Sequence, residues 1–173
     1  MSTNYPETNA PMLRPAEEAD APVLLAVVQA AFAEYRELLD PPSGIHKETV
    51  ETVLEKLREG GAYLALQNGE AVGCVFYALE EGYLYLGRLS VLPRCRGRGI
   101  ARVLVEAVEQ HALSLNRPRV QLGVRTALPR LHELYTRFGY RTLRYVSHEG
   151  YVEPTYEIME KVLEQASNPM EQE

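Results

Sequence analysis

Around residues 63–91 the chain repeats one pattern three times. AYLALQ, AVGCVFYALE and YLYLGRLSVL are rich in β-branched, aromatic and other apolar residues, and Asn68-Gly69 and Glu80-Glu81-Gly82 separate them. Glycine at such short breaks supplies the positive φ that tight hairpins require. The stretch therefore predicts three antiparallel strands in a meander, whose apolar positions need helices to cover them.

Those helices are present in the pattern on both sides. After a short strand near 12–14, Asp20 is placed to cap a helix with Pro22 in its first turn, and Leu24, Val28, Phe32, Tyr35 and Leu39 follow at helical spacing. The segment LLDPPSGIHKET reads as a loop. Val50, Val53, Leu54 and Leu57 then mark a second helix that stops at Gly60-Gly61. Beyond the meander, Ile100, Val103, Leu104, Ala107, Val108 and Leu115 line one helical stripe. A strand in RVQLGV, a helix through Leu131, Tyr135 and Phe138, and two closing strands near 140–147 and 155–159 complete the order.

A chain of 173 residues with 46% hydrophobic content suffices for one domain with a full core. Without repeats or linkers, the expectation is a single mixed α/β domain of the α+β kind over 12–163, after a disordered lead over 1–11 and before a polar tail over 164–173. The opening MSTNYPETNAPM lacks the basic start and apolar core of a signal peptide. The longest apolar run, APVLLAVVQAAFA, is broken by Gln29 and falls short of the roughly 18 residues of a membrane span. Cys74 and Cys95 form neither a disulfide framework nor a metal spacing, and the four histidines are scattered, so no metal site is expected. A soluble, cytoplasmic protein in a reducing compartment is the reading. The net charge of −6 argues against a general nucleic-acid binder, so any anion site must be local.

One segment meets that condition. In RCRGRGIA the chain leaves a strand ending Ser90-Val91-Leu92-Pro93 and enters a helix, so unpaired N–H groups of the first turn point into the loop. Gly97 and Gly99 carry no Cβ to obstruct a phosphate, and Arg94, Arg96, Arg98 and Arg102 add positive charge. A diphosphate is the natural guest. There is no GxxxxGK[ST], and a GxGxxG beginning at Gly97 fails at Arg102, so neither a P-loop nor a Rossmann fingerprint applies.

The surrounding LGRLSVLPRCRGRGIARVLVEAV resembles the coenzyme A-binding motif of the GNAT superfamily of N-acetyltransferases, with Arg94, Gly97 and Gly99 at its three motif positions. LHELYTRFGYR resembles the family's second landmark, a helical tyrosine followed by glycine and an aromatic, here Tyr135, Gly139 and Tyr140. The resemblance covers about 12–162. It implies a mixed central sheet with a mainly antiparallel N-terminal meander, splayed strands 4 and 5, and flanking helices. It also implies acetyl-CoA as acetyl donor, with the pantetheine arm along Leu89, Ser90 and Val91 and the pyrophosphate on the amides from Arg96 to Arg102, Ile100 and Ala101 among them. Arg96 and Arg98 would meet the outer phosphates, a strand N–H near Val91 would polarise the thioester, and Tyr135 would be the general acid.

The sequence departs from the family pattern in two places. Where some relatives place a glutamate base on the strand before the loop, this chain has Gly87 and Arg88, which leaves water relayed from Glu81, Tyr83 or Tyr85. Where many carry an asparagine seven residues before the tyrosine, it has Leu128. Cys95 sits in the phosphate loop, away from the acetyl position, and is not read as a nucleophile. For the acceptor, a small-molecule or peptide amine, the candidates are Tyr35, Asp40, Ser43, His46, Glu149 and Glu153; their carboxylates and the acidic total would suit a cationic amine. The activity expected is direct N-acetyl transfer, with a catalytically inactive coenzyme A-binding sensor as the alternative. No nucleic-acid or membrane partner is expected, and β-edges near the C-terminus would allow a homodimer.

Overall fold

The computed structural model describes residues 10–164; the expected lead and tail, apart from residues 10, 11 and 164, lie outside the described residues. In chain order the elements are β1 (Met12–Pro15), α1 (Ala21–Phe32), α2 (Val50–Glu59), β2 (Gly60–Gln67), β3 (Glu70–Glu80), β4 (Tyr83–Val91), α3 (Ile100–Ser114), β5 (Arg119–Arg125), α4 (Pro129–Arg137), β6 (Arg141–Val146) and β7 (Tyr156–Val162). The strands form one sheet in the order β1-β2-β3-β4-β5-β7-β6. Neighbours are antiparallel except β4 and β5, which run parallel.

Period-two alternation sorts the meander onto two cores. Leu64, Cys74 and Phe76 pack on α1 and α2, while the adjacent Ala65 and Val75 face the cluster built around Ile100, Leu104 and Val108 of α3. Leu24, Val53, Leu104 and Val108 are fully buried, and truncating one such leucine to alanine typically costs about 2–5 kcal/mol. Cys74 and Cys95 belong to these cores; burial pushes the Cys74 thiol up to about 12.

Two expectations about α1 need correction. Asp20 stands at its N-cap position but makes no side-chain cap. Its carboxylate instead accepts from the Arg14 guanidinium at 2.7 and 2.8 Å and from the Glu17 N–H at 2.7 Å. The helix also ends at Phe32 (φ −98°, ψ 0°) and passes into a 3₁₀ turn over Ala33–Tyr35, so the stripe does not continue as α-helix to Leu39.

The parallel pair positions the site. Leu84, Tyr85 and Leu86 pair with Val120, Gln121 and Leu122, and the pairing goes no further. Beyond it β4 carries a bulge, because two steps along β3 from Cys74 to Phe76 oppose three along β4 from Ser90 to Gly87. An extra residue in one strand bends it and leaves backbone groups unpaired. Arg88, inside the bulge, adopts φ 53°, rarely seen outside glycine. Its guanidinium reaches the buried Glu48 carboxylate at 3.1 Å, which also lies 3.5 Å from Lys56. The bulge is thereby tied to the entrance of α2. Among the described residues no helix is long and apolar enough to cross a membrane.

Candidate active site

The splay between β4 and β5 opens into a cleft of about 840 Å³, walled by the end of α1, the loop before α3, and α4. At one end lies the arginine and glycine loop. Pro93–Cys95 form a 3₁₀ turn, after which Gly97 (φ 77°) and Gly99 (φ 80°) both take left-handed conformations that side chains disfavour. A Cβ at either would meet no atom within 4 Å, so the side that glycine leaves bare faces open space. Gly99 is the N-cap of α3 and offers no side chain to its first turn. Gly99, Ile100, Ala101 and Arg102 of that turn line the cleft, where the helix leaves its first N–H groups without partners of its own and its dipole is positive.

Of the residues assigned to the donor from sequence, Leu89, Val91, Arg96, Gly97, Gly99, Ile100, Ala101 and Arg102 line this cleft. Ser90, Arg94 and Arg98 do not. The Ser90 side chain is buried and donates to the Arg88 carbonyl at 2.9 Å; Arg94 is turned to Glu70 at 3.3 Å on the surface. Arg96 bridges to the end of α1, donating to the Ala31 carbonyl at 3.0 Å and pairing with Glu34 at 2.6 Å. Arg102 lies 4.8 Å from the centre of the Phe138 ring, a cation–π distance that joins α3 to α4.

Tyr135, on α4, lines the cleft and is 6% exposed. Its ring meets Phe138 and Tyr140 edge-on at 6.3 and 5.9 Å. Burial, then the neighbouring Tyr35 and Tyr85 hydroxyls, hold its phenol well above the ordinary tyrosine range. The group is therefore a proton carrier at neutral pH. Tyr85 stands opposite, from β4, and a Cβ at Gly123 of β5 would come within 2.7 Å of its hydroxyl. Of the water-relay candidates Tyr85 lines the cleft, whereas Glu81 and Tyr83 do not.

Of the six acceptor candidates, Tyr35 and Ser43 line the cleft, Tyr35 within electrostatic reach of Arg96, and Asp40, His46, Glu149 and Glu153 do not. Asp40 accepts a short hydrogen bond from the Tyr151 hydroxyl. Both ring nitrogens of His46 are buried without a partner among the described residues. The lining here includes Arg125, His148 and Tyr156, which the sequence reading missed. One signal was available for Arg125. RVQLGVR alternates Val120, Leu122 and Val124 into the core, so Gly123 and Arg125 share the other face, and glycine inside a strand marks close approach. Arg125 donates to the Pro41 carbonyl at 2.5 Å. The His148 ring lies 4.9 Å from that of Tyr156, tilted by 57°, and bonds the Thr155 hydroxyl through Nδ1. Burial first, and then the Arg125 charge, hold its imidazole below the ordinary histidine pKa.

The charge of the lining reverses that of the chain. Acids outnumber bases 24 to 18 overall. Yet, among the described residues, the cleft is lined by Arg88, Arg96, Arg102, Arg125, Arg130 and Arg137, and by no aspartate or glutamate. The carboxylate-lined groove expected for a cationic amine is absent from this lining.

This architecture has known counterparts. The chain superposes on the PaiA N-acetyltransferase of Thermoplasma acidophilum, solved in complex with coenzyme A, with a TM-score of 0.74 at 16% identity over 88% of this chain and 99% of that one. It also superposes on the ribosomal-protein-S18-alanine N-acetyltransferase of Escherichia coli, with a TM-score of 0.71 at 17% identity over 92% and 98% of the two chains. At these identities the likeness establishes the fold. In sequence, 88 residues are 33% identical to N-acetylaspartate synthetase of Rattus norvegicus, covering 50% of this chain and 29% of that protein. The match thus spans less than a third of that curated relative. Residues 29–140, more than half of the chain, match the Acetyltransferase (GNAT) family, and the chain belongs to it.

Proposed function

We propose that the protein is an acetyl-CoA-dependent N-acetyltransferase that transfers the acetyl group directly to an amine. The observation that carries this reading is the cleft at the β4–β5 splay, cationic and free of lining carboxylates at the end where Gly97 and Gly99 bare the first turn of α3. These features fit coenzyme A. The bared amides, with Arg102, would hold the pyrophosphate, and the backbone of Leu89 to Val91 beyond the bulge would hold the pantetheine amides as an added strand does. The PaiA neighbour, which shares this fold, was solved in complex with coenzyme A, and that supports an acyl-CoA donor here. The relatives include N-acetylaspartate synthetase and a ribosomal-protein-S18-alanine N-acetyltransferase, which supports an amine acceptor.

Bound acetyl-CoA would supply an activated acetyl thioester. His148, held neutral, takes a proton from the acceptor ammonium so that its nitrogen lone pair can attack. Tyr135, held protonated, gives a proton to the departing sulfur as the carbon–nitrogen bond replaces the carbon–sulfur bond, and is reprotonated through water by the second proton that the acylated nitrogen sheds. The β4 N–H groups near Val91 stabilise the oxygen that gains charge. His148 fills the role for which β4 offers no carboxylate, since Gly87 and Arg88 stand there.

Calorimetric titration of acetyl-CoA into the wild type and Gly99→Asp, with folding checked by circular dichroism, tests the donor site. The wild type binds, and the folded variant, whose carboxylate faces the phosphates, loses binding by about 100-fold or more. Absence of wild-type binding overturns the reading; binding without turnover on any amine leaves a coenzyme A sensor in its place.

A further inference from the structure

The cleft is cationic at both ends, and a diphosphate accounts for only one of them. Arg96 and Arg102 border the glycine loop, with Arg130 and Arg137 on the α4 wall. Arg125 belongs elsewhere, at the end of β5, bonded to the loop after α1 through the Pro41 carbonyl and close enough to His148 to perturb it.

Arg125 is a partly buried guanidinium without an ion-pair partner among the described residues. Arg88 is satisfied by Glu48 and Arg96 by Glu34. The titratable groups around Arg125 are His148, held neutral, Tyr151, and Asp40, which does not line the cleft and is engaged by the Tyr151 hydroxyl. Burial is the largest influence on the Arg125 guanidinium and lowers its pKa, with Tyr151 and Asp40 opposing. A cation removed from water without a contacting anion is costly, and the cost disappears when a ligand brings the anion. A guanidinium carries five donors, and the Pro41 carbonyl takes one group, so others remain for a planar, two-oxygen acceptor.

We infer that the acceptor carries a carboxylate beside its amine, and that Arg125 binds this carboxylate while His148 receives the proton of the amine. The inference rests on the transferase reading and narrows its acceptor to amino acids and similar aminocarboxylates, as opposed to polyamines or amidated peptides. The Tyr156 ring, 4.9 Å from that of His148, lines the cleft beside it. Without an anion-binding side chain the opposite preference would hold, because the amine of an amino acid amide loses its proton more readily than that of the parent acid.

Acetyl-CoA turnover is followed by thiol release with each common amino acid against its amide, and with putrescine and spermidine. The expected result is one or more acids preferred over their amides by roughly tenfold or more in kcat/KM. Arg125→Gln should raise KM for the acid and bring the acid-to-amide ratio toward one, with Arg125→Lys keeping part of it and the acetyl-CoA KM within about twofold throughout. Independently of turnover, the preferred acid should raise Tm in the presence of coenzyme A and its amide should not. Preference for amides or polyamines overturns the inference and leaves the transferase intact. An equal loss for acid and amide in Arg125→Gln overturns it too, since it makes Arg125 an anchor of the loop. Should that variant fail to fold, the wild-type ratio decides. If acetyl-CoA itself does not bind, the underlying reading fails and takes this inference with it.

Discussion

The two ends of the cleft are built by different means. The end proposed for the donor comes from one contiguous stretch, residues 89–102, and would act chiefly through backbone, namely the end of β4, left-handed glycines and the first turn of α3. The end proposed for the acceptor is assembled from side chains on four separate segments, Tyr35 to Ser43, Tyr85 on β4, Arg125 on β5, and His148 to Tyr156. A backbone site tolerates change wherever its glycines survive. A side-chain site is rewritten by single substitutions, which is how one donor comes to serve many acceptors.

The contrast is most severely tested where the ends meet. Tyr135→Phe should lower kcat by about 100-fold or more while calorimetry finds acetyl-CoA affinity unchanged; unaltered turnover would return Tyr135 to a packing role. His148→Gln should act on the acceptor side alone, lowering kcat/KM for the amine by at least about tenfold. Its pH profile is more informative than its size. The depressed pKa keeps His148 neutral to lower pH than an ordinary histidine, so activity is retained above that pKa and lost as pH falls through it. The acid limb should lie below the normal histidine range and vanish in His148→Gln.

Smaller effects sharpen the division. Tyr151→Phe removes the hydroxyl that ties Asp40 and should raise the acceptor KM severalfold, with acetyl-CoA binding untouched. Asp20→Asn, remote from both ends, should leave kinetics unchanged and slightly lower Tm at neutral pH. The Arg14 hydrogen bond depresses the Asp20 pKa, so that contribution is present above the unfolded carboxylate pKa and fades as pH falls through the folded one. Melting curves at two salt concentrations check this.

The same division governs what could be read from the chain. The meander, the helix starts and the glycine loop depend on neighbours in sequence and were legible. The end of α1 was not, because Leu24, Val28 and Phe32 keep their spacing through Tyr35 and Leu39 although the backbone turns aside at Phe32. Asp20 resembles a cap until Arg14, six residues earlier and on another element, takes its carboxylate. His148 gave no signal, since its meaning comes from Arg125 and Tyr156, and the acidic total concealed a cleft lined by arginines. The place of β7 between β5 and β6 is likewise a matter of tertiary pairing, which local pattern does not encode.

That strand order also has a consequence in time. In the described sheet β6 pairs with β7 and not with β5, so residues 141–146 have no edge to join until 156–162 have left the ribosome. At about 5–20 residues per second, the glycine loop and α3 emerge seconds before the strand that seats the His148 loop. In a nascent chain the segment proposed to hold the donor thus emerges first, and the segment proposed to select the acceptor gains its seat only when β7 follows.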